Sequence, residues 1–119
     1  MKVILVEPGK AARVTEIGEK LKDMQKVVGG LIQAIYPYEE LVAIVCGDES
    51  KLNGEQPNRA LYDDTGNLYD VICGTFFITG LSEDNFASIP DELVDKFLGM
   101  FRRPEVFMQV NDRIMVIKV

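Results

Sequence analysis

The sequence of 119 residues contains no histidine and no tryptophan. Without histidine there is no imidazole base for a serine or cysteine nucleophile, and no histidine-based metal site. Cysteine is scarce. Cys46 and Cys73 are the only two, too few for a structural zinc site. Each sits in an apolar run, residues 42–46 and 71–73, where a free thiol behaves as a small buried hydrophobe. A redox pair would require the two runs to be neighbours. Long apolar runs are also missing. The first, Val3-Ile4-Leu5-Val6, stops at Glu7-Pro8, too short for a signal peptide or a membrane span. The expectation is a cytoplasmic protein with no membrane contact.

Cations are rare in the middle of the chain. Residues 39–95 hold two Lys/Arg (Lys51, Arg59) against thirteen Asp/Glu, a net −11, whereas residues 1–38 carry +2 and residues 96–119 carry +3. These sum to the net charge of −6. An acidic middle argues against nonspecific nucleic-acid binding and suits a basic partner or self-complementary association. Known site motifs fail on inspection. Gly9-Lys10 lacks the rest of a phosphate loop, and there is no glycine-rich dinucleotide fingerprint and no Ser-x-x-Lys. If Asp63 began a calcium loop, Leu68 would replace its glycine and Gly74 its final glutamate, so that register fails. Asp48-Glu49 has acid–base chemistry available, yet adjacent acids after a strand read as solvated. No catalytic residue, metal ligand or cofactor is expected, and the protein is read as non-enzymatic.

What is present is a globular composition, 47% hydrophobic, in a length that fits one domain, residues 1–119. Residues 1–6 and 13–17 read as an N-terminal hairpin around Pro8-Gly9. A helix over about 19–28 follows, stopped by Gly29-Gly30. Residues 31–36 and 41–46 form a second hairpin. Residues 70–79 read as one strand, with Gly74 marking a bulge or close approach. A short helical turn is expected at 82–85, then a helix over about 90–102. Ser88 and Asp91 have capping-box spacing there, and Leu93, Phe97, Met100 and Val94, Leu98, Phe101 form its apolar rows. Residues 106–110 and 114–119 close the chain as a hairpin. The class is α+β: a mixed or antiparallel sheet of about five to seven strands packed by two main helices.

One stretch resists this scheme. Residues 47–69 read as a long central loop with turn signals at Asn53-Gly54, Pro57-Asn58 and Gly66-Asn67. Connections of that length are uncommon unless functional or mobile. Candidate ligand or partner contacts are therefore Asn58, Arg59, Asp48, Glu49, Lys51 and Tyr62. Arg59 has the fork geometry for a carboxylate or phosphate. The competing expectation is that it pairs with Asp63, Asp64 or Asp70 and pins the loop. Turn chemistry accounts for Asn58, and Tyr62 and Tyr69 have the character of loop-packing residues.

Val28-Gly29-Gly30-Leu31-Ile32, Asp48 to Gly54, Pro57-Asn58-Arg59-Ala60-Leu61 and Asp70-Val71-Ile72-Cys73-Gly74 occur in that order. This ordered set resembles a family of small uncharacterised proteins of Gram-positive bacteria, their phages and mobile elements, over roughly residues 2–103. Departures from that pattern are Gln33, where glutamate is usual, and Gly47-Asp48-Glu49-Ser50-Lys51, where Asn-Glu-Glu-Gly-Lys is usual. The resemblance implies a mobile-element accessory protein and a Pro-Asn-Arg segment as a family feature, with no activity attached. Three readings follow. The first is a non-enzymatic interaction module, a homodimer or the partner of a host protein. The others are a small-ligand binder using the 47–69 loop and an acidic DNA mimic.

Overall fold

Strand 1 (β1, Lys2–Val6) and strand 2 (β2, Arg13–Glu16) form the expected hairpin, with Lys2 opposite Glu16 and Leu5 opposite Arg13. In this computed structural model, which describes every residue from Met1 to Val119, the chain continues through α1 (Leu21–Val28), β3 (Ile32–Ile35) and β4 (Val42–Gly47). Then come β5 (Pro57–Tyr62), β6 (Leu68–Cys73), β7 (Phe76–Leu81) and β8 (Phe86–Ala87). It ends with α2 (Asp91–Met100), β9 (Glu105–Val110) and β10 (Arg113–Lys118). All pairings are antiparallel. The main sheet runs β2-β1-β7-β4-β3 with β8 attached to β7, while β5-β6 and β9-β10 are separate two-stranded sheets. The fold is α+β.

The three central strands alternate large apolar side chains on both faces, because a strand's side chains point alternately up and down. Val3, Leu5, Val45 and Phe77 face α1 and pack with Met24 and Val28. Ile4, Val6, Ile44, Cys46, Phe76 and Ile78 face the other way and pack with Phe97 and Phe101 of the α2 segment and with Leu61 and Ile72 of the β5-β6 sheet. Phe76 and Phe101 meet edge-on at 5.4 Å, a preferred aromatic geometry. The main sheet is thus covered twice, once by a helix and once by a helix plus a hairpin.

Several local expectations change. The 47–69 stretch is not loop throughout. Pro57–Tyr62 is a strand, paired with Leu68–Cys73 around an Asp63–Asn67 turn. Residues 70–79 are not one strand but the end of β6 and the start of β7. Gly74, at φ +76°, breaks the run and sends the chain from one sheet to the other. No helical turn forms at 82–85, where the Ser82 amide and hydroxyl donate to the Asn85 carbonyl in a tight bend. Ser88 does not cap α2, because its hydroxyl accepts from the Lys2 amide at 2.8 Å, tying the helix entry to β1.

Candidate functional site

The Asn58-Arg59 pair lies at a register shift between Pro57 and Arg59, where a bulge turns consecutive side chains in the same general direction. Both are buried. The Asn58 amide nitrogen donates to the carbonyls of Val6 at 3.0 Å and Gly74 at 2.8 Å. Its side-chain oxygen accepts from Arg59 Nη1 at 2.8 Å. Arg59 Nη1 also reaches the Asn58 carbonyl at 3.3 Å, Nε reaches the Phe101 carbonyl at 3.2 Å, and Nη2 reaches the carbonyls of Phe101 at 2.9 Å and Lys10 at 2.6 Å. Five donors meet five contacts, so the guanidinium has none left for a ligand. Asp63, Asp64 and Asp70 are not its partners. It joins the end of α2, the β1-β2 turn and β5. Burial lowers its pKa, opposed by the negative field of Glu105. Glu105, itself buried, accepts from the Ala60 amide at 2.9 Å.

The other candidates lie outside this knot. Lys51 pairs with Asp70 at 2.5 Å, both largely exposed. Tyr62 is half-exposed, its phenol pKa raised by partial burial and then by Glu105. Asp48 and Glu49 lie exposed on the turn after β4. Lys51 and Asp70 stand at one end of an open cleft of about 540 Å³ between β6 and the β9-β10 hairpin, lined also by Leu68, Tyr69, Phe107 and Ile114. Asn58, Arg59 and Tyr62 do not line it. The two thiols line one smaller cavity of about 140 Å³. Both are free, and burial is the main cause raising both pKa values, which keeps them in the less reactive thiol form.

Two features escaped the sequence reading. Ser50 is buried with its hydroxyl unpartnered. The β9-β10 hairpin carries an outer face that is apolar except for one arginine. Its register places Val106 opposite Ile117 and Met108 opposite Met115. These four and Val110 share one face, each 40–48% exposed, with Arg113 the sole polar member. The signal was in the sequence, as apolar residues at every second position of two strands that also carry Phe107 and Val116 on the opposite face.

No helix is long and apolar enough to cross a membrane, and no three Asp, Glu or Cys side chains converge as a metal site. The fold and the buried Asn-Arg knot define a small α+β domain. The chain belongs to the family described as Domain of unknown function (DUF3846), which matches residues 1–102. No curated protein and no solved structure matches it. The β9-β10 hairpin lies beyond the matched residues.

Proposed function

We propose that this protein is a non-enzymatic interaction module, an accessory protein of a phage or mobile element, which docks through the outer face of its C-terminal hairpin onto a second copy of itself. The observation that carries this reading is the face made by Val106, Met108, Val110, Met115 and Ile117. A two-stranded hairpin is marginal by itself. Soluble domains normally place polar residues on the solvent side of such a sheet. Five side chains a little under half exposed leave on the order of 350 Å² of apolar surface, the size of a functional patch. The resemblance in residue pattern supports the mobile-element setting.

A second copy suits the face because the face is self-complementary. Paired about a twofold axis, Met108 and Met115 meet their equivalents at the centre and Arg113 falls at the rim, so no charge is buried. Charge distribution favours the same partner. Residues 102–119 carry four Lys/Arg and two Asp/Glu, a net +2, leaving −8 on the remainder. A hairpin reaching over a partner's body is therefore attracted to it. Two such faces bury roughly 700 Å² and somewhat more with flanking residues, below the ~1,200 Å² of stable complexes. The dimer is accordingly weak and dissociates on dilution.

Light scattering over a dilution series tests this. The wild type should shift from dimer towards monomer on dilution, and Met115→Glu and Ile117→Glu should be monomeric throughout with unchanged circular dichroism. A wild-type chain that stays monomeric up to millimolar concentration overturns the self-association reading.

A further inference from the structure

The hairpin that carries the apolar face also presents a free strand edge. β10 pairs with β9 alone, so one side of its backbone meets no other strand. Which groups stand on that side follows from the ladder. In an antiparallel pair, successive residues turn their N–H and C=O alternately towards the partner strand and away from it. The Val119 amide donates to the Pro104 carbonyl at 2.8 Å, one step beyond the Lys118–Glu105 pair. Arg113, Met115 and Ile117 therefore share the orientation of Val119 and bond to β9. Ile114, Val116 and Lys118 turn their amides outward. The Lys118 carbonyl is held by Arg103 Nη2 at 3.2 Å. The outward groups of Ile114 and Val116 have no strand within the molecule to meet.

Soluble domains blunt such edges with a proline, a bulge, a charge in mid-strand or a very short strand. β2, β3 and β6 follow that rule. β2 and β3 are four residues long, β2 with Arg13 and Glu16, and β6 contains Asp70 and a register shift against β5. β10 has none of these devices. It runs six residues in unbroken register with β9, it has no proline, and Ile114-Met115-Val116-Ile117 is apolar throughout. The charges at its ends suit a second copy of the same strand. Outward groups must meet outward groups, so a twofold axis has to fall on a residue rather than between two. Centred on Met115, the pairing sets Ile114 against Val116 of the other copy, Met115 against Met115, and Asp112 against Lys118 at both ends. Centred on Val116, it sets Lys118 against Ile114 and leaves Asp112 without a partner. The Met115 register is the one in which opposite charges face each other.

We propose that β10 pairs edge to edge with β10 of another copy, antiparallel about a twofold axis through Met115, and so joins two face-docked dimers into a tetramer. The proposal rests on the face docking above. The edge axis stands perpendicular to the sheet. The face axis lies between the stacked sheets, along the Met108–Met115 row. Two crossed twofolds close the assembly at four chains instead of extending it into a filament. Two four-stranded sheets then stack and bury about 1,400 Å² of apolar surface, twice that of the face pair, which reaches the size of stable complexes. Light scattering and amide hydrogen exchange on the full chain, at constant ionic strength, test this. At the top of the concentration series the wild type should pass the dimer mass and approach four chains. The Ile114 and Val116 amides should exchange fast in the dimer and slowly in the tetramer, while those of Met115 and Ile117, bonded to β9, are protected throughout. Val116→Pro removes an outward N–H and no bond to β9, which an edge strand tolerates. It should stop at the dimer with unchanged circular dichroism. Asp112→Lys, which sets like charges opposite each other, should move the dimer–tetramer step to about tenfold higher concentration, and adding Lys118→Asp should restore it. Assembly that ends at the dimer, or a tetramer indifferent to Val116→Pro and to the charge swap, overturns the edge pairing and leaves the face docking standing. A monomer at every concentration overturns both.

Discussion

A guanidinium offers five N–H donors and no acceptor, so burying one demands oxygens on several sides. Arg59 finds them on three elements: Phe101 at the end of α2, Lys10 in the β1-β2 turn, and Asn58 beside it. The Phe101 carbonyl lies where a helix dipole favours a cation. Lysine cannot replace this. It has three donors on one atom and no fork. Arg59→Lys should leave one or two buried carbonyls unpaired and cost about 2–4 kcal/mol, and Arg59→Met, which also strands Glu105, about 3–5 kcal/mol. Urea denaturation of the two variants measures this. An Arg59 that served a ligand instead would give variants as stable as the wild type. The sequence made Arg59 conspicuous, one of two cations among thirteen acids, and offered a pinning role for it, but named the wrong partners. A buried arginine held by main-chain oxygens needs no acidic partner in the sequence, and its partners at residues 10 and 101 are fixed only by the tertiary fold.

At the scale of elements, most strands were legible, but the strand at residues 57–62 was not. The stretch around Pro57-Asn58-Arg59 reads as loop because proline lacks a ladder donor and Asn and Gly mark turns. The structure accommodates these residues at the end of a strand and at a bulge. The Asp63–Asn67 turn kept its identity. Asp63 Oδ1 accepts from the Thr65 amide at 3.0 Å, the Thr65 hydroxyl at 2.7 Å and the Asn67 amide at 2.9 Å. This is what an Asx turn requires, and it occupies the oxygen that a calcium loop would have used. These bonds, the Thr65 hydroxyl foremost, hold the Asp63 pKa below its ordinary 3.8. The sign follows directly. A carboxylate with a lowered folded-state pKa contributes stability above its unfolded pKa, and that contribution is lost as pH falls through the folded value. The Asp63 carboxyl carbon should therefore titrate by NMR with a midpoint below 3.8, and the Thr65 and Asn67 amide signals should move with the same midpoint. Asp63→Asn should abolish that titration. A midpoint at or above the ordinary value would contradict the turn geometry.

For the whole molecule, the two cores end where the family match ends. Both apolar clusters are built from residues up to Phe101, and none of their buried members belongs to β9 or β10. The match covers residues 1–102. The helix at the end of that span was legible because its broad apolar rows must cover a sheet, and Phe97 and Phe101 are fully buried as those rows imply. The closing hairpin was legible as strands, but its outward apolar face was not, since periodicity gives alternation without saying which side is solvated. The main buried tie from the hairpin to the body is the Glu105 carboxylate, which accepts from Ala60 and compensates the Arg59 charge. A chain ending at Arg103 should therefore fold with its sheet and both helices intact. It should be less stable by about 1–3 kcal/mol, the cost of an unpaired buried amide and a less compensated cation. Because it lacks the apolar face, it should also be monomeric at concentrations where the full chain associates. Thermal melting and light scattering on the two chains separate these effects. If the shortened chain folds yet still dimerises, the docking face lies elsewhere. If it does not fold, the hairpin is part of the domain's core stability rather than an arm added to it.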